Sequence, residues 1–169
     1  MPRAVAHIVL AALVIVASAG GLAGGPAGAG EMNGAALFRR CAACHLPDGA
    51  GVPGAYPPLA GRLGKLAGTR QGRSYLIMVV ERGLMGSIKA AGQMYSNVMP
   101  AQGPALDSAQ VAAVLNYVLG TLNAASVPEN WPRITAKDVD QVRARHAKPE
   151  PGLLLTMRQA AFAGAGGPK

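Results

Sequence analysis

Cys41-Ala42-Ala43-Cys44-His45 decides the reading of this 169-residue chain, because it holds both cysteines and sets a histidine directly after the second. On a helix, residues three apart share a face, so the two thiols can add across two vinyl groups of one porphyrin while the adjacent imidazole reaches its iron. This C-x-x-C-H spacing is the covalent haem-attachment pattern. Other uses of the cysteines fit less well. A dithiol redox site belongs in a βαβ pattern, whereas Gly34-Ala-Ala-Leu-Phe-Arg-Arg40 before the motif reads as helix and Pro47-Asp48-Gly49 after it as turn. A structural zinc site takes four Cys or His ligands. Only His146 is left to complete Cys41, Cys44 and His45 once the N-terminal segment is set aside.

That segment carries its own signal. Arg3, the apolar run Ile8 to Ala17 and the small-residue site Ala17-Ser18-Ala19 predict a signal peptide over residues 1–19, with cleavage alternatively as late as residue 29, and export to the periplasm. The run is shorter than the roughly 20 residues that span a bilayer, so membrane association is expected only if the segment stays uncleaved. No cysteine lies near it to take a lipid. Residues 20–30 are Gly-rich and read as flexible.

Composition points the same way as the motif. With 4% aromatic residues and 23 glycines, the chain has few bulky groups to fill a core, and a buried porphyrin would supply that apolar volume. The formal net charge is +8. Between positions 62 and 89, Arg62, Lys65, Arg70, Arg73, Arg82 and Lys89 are set against Glu81 alone, which predicts a positive surface able to steer an acidic redox partner. Basic residues are not interleaved with aromatics, and an exported protein is not expected to meet nucleic acid.

A single haem-binding domain is expected over residues 31–124, a linker and C-terminal helix over 125–148, and a flexible tail over 149–169. A first helix is read from Met32 to His45 with Asn33 as N-cap. Leu46 to Gly72 is rich in Gly and Pro and reads as loop. Ser74 opens a short helix that Arg82-Gly83 closes, and Gly83 to Pro104 returns to loop. Asp107 with Gln110 forms a capping box before the stripe Val111, Val114, Leu115, Val118 and Leu122. Thr135 with Asp138 repeats the pattern, giving a helix to about Ala147. Leu153-Leu154-Leu155 reads as a short docking turn, and strand is almost absent.

With these landmarks in order, residues 32–122 resemble the class I c-type cytochromes. Gly34 and Phe38 precede the haem motif, followed by Pro57-Pro58-Leu59-Ala60-Gly61, Met99-Pro100 and a helix containing Val114-Leu115-Asn116-Tyr117-Val118. The resemblance implies an all-α fold of helices and long loops around one covalent haem c. It also implies that Gly34 and Phe38 lie where the first helix crosses the last near Leu115 and Tyr117, and that the Pro57 carbonyl orients His45. Residue positions alone leave Met85, Met94 and Met99 as candidates for the second axial ligand. Likeness of Tyr95-Ser-Asn-Val-Met99-Pro100 to the family's Tyr-x-x-x-Met-Pro segment selects Met99. Arg62, just after Ala60-Gly61, is placed to meet a haem propionate. Tyr56, Tyr95 and Trp131 are possible packing partners of the haem.

The implied function is one-electron transport by a monohaem carrier, with His45 and Met99 closing both axial positions. Gly83 to Tyr95, together with Thr135 to Val139 and Arg143, is similar to cytochrome subunits that accept electrons from periplasmic dehydrogenases of the alcohol, aldehyde or sulfite type. Such a chain would pass electrons to a downstream cytochrome or oxidase. The alternative is a haem-based ligand sensor in which the methionine is displaceable. A peroxidase would need a distal acid-base pair, which two remaining histidines do not supply.

Overall fold

The computed structural model describes Met1, residues 33–148 and residues 150–166. The expected signal peptide, the Gly-rich segment and the last three residues lie outside them. Helix α1 spans Gly34–His45, and the Asn33 side chain accepts from the Ala36 amide at 3.0 Å. Helices α2 (Gly64–Ala67) and α3 (Arg70–Arg82) follow. Strands β1 (Ile88–Ala90) and β2 (Gln93–Tyr95) form an antiparallel hairpin. Helix α4 (Ser108–Tyr117) continues as a π-helical turn, Val118–Leu122. Helices α5 (Ala136–Arg145) and α6 (Leu153–Gly164) complete the described residues. Among them, no helix is long and apolar enough to cross a membrane.

The core forms where α1 crosses α4. A side chain at Gly34 would run into the Ala113 carbonyl and Tyr117 Cβ, so only glycine lets the two backbones approach this closely. One turn on, Phe38 is 2% exposed and its ring centroid sits 5.4 Å from that of Tyr117. Burying such a side chain contributes about 2–3 kcal/mol. Val111, Val114 and Leu115 carry the α4 stripe into the same core, where Leu76, Ile77 and Met78 of α3 meet Val139 and Val142 of α5.

Buried polar side chains tie several of these elements together. Asn116 joins α4 to the segment before α5 through two bonds with Ile134, 2.8 and 2.9 Å. Asn123 accepts from the Leu63 amide at 2.9 Å and donates to the Leu59 and Val118 carbonyls. Arg143 forks onto Glu81 at 2.8 and 2.9 Å and reaches Ser108 Oγ and the Leu106 carbonyl, tying α5 to α3 and the start of α4.

Three expectations are corrected. Helix α3 starts four residues before Ser74, because the Thr69 hydroxyl caps it by accepting from the Gly72 amide at 2.9 Å. The loop from Gly83 to Pro104 contains the hairpin, whose two turn residues Ala91 and Gly92 both have positive φ, the geometry that suits a two-residue hairpin. The tail expected to be flexible is largely α6, which packs on α3 and buries Ala161 and Phe162.

Candidate functional site

His45 ends α1 and is 7% exposed. Its Nδ1 lies 2.9 Å from the Pro57 carbonyl. A carbonyl only accepts, so Nδ1 carries the proton and Nε2 is left with a free lone pair. Burial pushes the imidazole below its ordinary pKa, the Pro57 contact opposing it weakly, which favours the neutral form that binds metal. The chain folds back to bring Pro57 there: the His45 carbonyl accepts from the Gly51 amide, and Val52 and Tyr56 pair at 2.8 Å.

Met99 lines the same crevice as His45. Its backbone exchanges two 2.9 Å hydrogen bonds with Leu84. Gly83 makes this possible: its φ is 74°, and a Cβ there would collide with the Met99 carbonyl. His45 and Met99 line the same crevice, an apolar space of about 740 Å³ that includes part of its open mouth. Cys41 lines this part of the crevice with Leu59, Leu76, Val114 and Val118. Cys44 lines an adjoining part with Tyr56 and Tyr95, which His45 and Met99 also line. Burial raises the Cys41 thiol pKa, against the opposing charge of Arg40.

The structure separates the methionines. Met99 lines both parts of the crevice, whereas Met94 is 56% exposed on β2, Met85 is 74% exposed on the outer side of the loop, and Met78 is buried in α3. His146 caps α5 and does not line the crevice, so a bis-histidine site has no support in the geometry. Tyr56 and Tyr95 reach the crevice, but Trp131 packs beside Gly120 instead.

Arg62 is turned into the crevice rather than onto the basic surface. Its Nη1 makes a long 3.5 Å contact with the Pro58 carbonyl, while Nε and Nη2 are buried with no hydrogen-bond partner. Orphaned guanidinium donors at the edge of an apolar space call for an anion. A porphyrin carrying two carboxylates fits on three counts: the apolar walls, the imidazole with Nε2 free, and the unpaired donors of Arg62. Sequence reasoning missed Phe162 and Arg158 of α6, which also line the crevice. Their helical period was readable, but nothing local indicated which helix they would meet.

Comparison with known proteins agrees with this geometry. The family described as "Cytochrome c" matches residues 31–122. Cytochrome c-552 of Thermus thermophilus is 36% identical over 120 residues, covering 71% of this chain and 91% of that protein. A second Thermus thermophilus cytochrome c-552 is 37% identical over 120 residues, covering 71% of this chain and 80% of its own length.

Proposed function

This chain belongs to the cytochrome c family and carries electrons on a covalent haem c, and from that premise we propose which residues hold the haem and which proteins it serves. Cys41 and Cys44 would tether the haem through their thiols, His45 Nε2 and Met99 Sδ would hold its iron, and Arg62 would meet a propionate. The haem supplies a one-electron iron couple. Around it, Pro57 holds the imidazole ring in one orientation, the Leu84 bridge holds Met99 in place, and a thioether ligand favours ferrous iron and so raises the potential. The observation carrying this reading is that His45, its tautomer set by Pro57, and Met99 line one apolar crevice with the two cysteines.

The protein is exported to the periplasm and accepts electrons from an acidic-surfaced dehydrogenase there, passing them to a downstream cytochrome or oxidase. Lys65, Arg70, Arg82 and Lys89 support this, since they are exposed while Glu81 is buried against Arg143. Intact-mass analysis of the exported protein should show one haem retained after denaturation and a chain cleaved between residues 19 and 30. Retention of haem by a Cys41→Ser, Cys44→Ser double variant would contradict the attachment. Reduction by quinoprotein, molybdenum and flavin dehydrogenases should be fastest for an acidic one and slow with salt; salt-independent reduction would contradict the docking.

A further inference from the structure

The crevice wall holds a second unpaired cation from outside the region that matches the family. Phe162 of α6 is 5% exposed and has two guanidiniums over its ring: Arg62 Cζ is 5.3 Å from the ring centroid and Arg158 Cζ is 4.7 Å. Tyr75 packs edge-on against the same ring at 6.3 Å. Arg158 also donates to the Lys89 carbonyl at 2.6 Å. Among the described residues, neither arginine is ion-paired with a carboxylate. The fold therefore sets two like charges about one phenyl ring, beside an apolar space, with no carboxylate to compensate them, an arrangement that anions would relieve. A cation over an aromatic face recovers only part of that cost. The ligand must bring the negative charge.

We propose that Arg158 is a second cation for the haem propionates, seated with Arg62 on the Phe162 ring, so that α6 is part of the haem site. This rests on the haem-binding reading above. One planar fork per carboxylate matches the two acid groups of the porphyrin. The hydrogen bond from Arg158 to the Lys89 carbonyl leaves other guanidinium N–H groups to donate, and holds the side chain over the ring. Helix α6 then follows from the haem as much as from its own apolar stripe, because propionate charge is what relieves the repulsion between Arg62 and Arg158.

The test uses the full-length haem protein carrying Arg158→Gln, Arg158→Lys or Arg62→Gln, with the midpoint potential measured across neutral pH. Removing a positive charge beside the propionates favours ferric iron, so R158Q should lower the potential. It should also make the potential pH-dependent over a range where the unsubstituted protein is flat, as the freed propionate titrates. R158K, which keeps the charge, should return most of the shift. A potential and pH profile unchanged in R158Q, while R62Q moves both, overturns the role of Arg158 and leaves the haem assignment standing. If R158K matches R158Q and both release α6 to protease, Arg158 only docks the helix and the proposal is wrong. Failure of every variant and the parent chain to hold haem would instead defeat the underlying reading.

Discussion

Met99 is held in the crevice by groups that a sequence alone does not place together. Gly83 clears room for its carbonyl, Leu84 pairs with its backbone, and it lines one space with His45. Met99→Leu should lower the reduction potential by on the order of 0.1 V, a modest part of the roughly 0.8 V over which axial ligands tune haem iron. Met94→Leu should leave it unchanged, because Met94 stands in solvent; redox titration of both variants decides this. At this scale the sequence was most legible where chemistry demands adjacent residues. Cys41, Cys44 and His45 are readable because thioether formation and ligation share one helical turn. Arg62 was readable as a cation near the site, but its inward turn and orphaned donors depend on burial that only the fold creates.

Helix ends were legible for the same local reason. Both capping boxes form as their spacing predicts, at Asp107 with Gln110 and at Thr135 with Asp138. Replacing Thr135 by Ala should cost about 1 kcal/mol. The Thr135 hydroxyl and amide hold Asp138 below its ordinary value of 3.8, so this contribution is fully present above that pH and fades as acid titrates the folded carboxylate. Urea denaturation at pH 7 and pH 3 should show the Thr135→Ala penalty shrinking at the lower pH. Contacts between elements were not legible. Arg143 and Glu81 are 62 residues apart, yet Glu81 is buried, and removal of its partner strands a carboxylate. Arg143→Met should cost about 2–4 kcal/mol, toward the low end for a broken buried pair because the guanidinium is itself 32% exposed. The double variant with Glu81→Gln should recover part of the loss in the same denaturation experiment. Helix α6 escaped detection because Leu154, Met157, Ala161 and Phe162 have the right period amid Gly and Ala, and their partner α3 lies far back in the chain.

For the whole molecule, the all-α architecture was legible because resemblance to the class I cytochromes implies that Gly34 and Phe38 sit at a helix crossing, and that crossing is present. Shape and charge then separate into an apolar interior that takes the haem and a basic exterior with a formal net charge of +8. Oxidation of the reduced protein by an anionic iron complex should be faster than by a cationic cobalt complex of similar driving force. The difference should fall as salt shortens the Debye length from about 30 Å at 0.01 M to about 8 Å at 0.15 M; stopped-flow rates check it. The account as a whole depends on the iron being closed on both sides by His45 and Met99, and carbon monoxide tests that most directly. Reduced protein at neutral pH should not bind the gas, Met94→Leu should behave alike, and Met99→Leu should bind it fully. Prompt, complete binding by the unsubstituted protein, or an iron opened by Met94→Leu but not by Met99→Leu, would contradict the account.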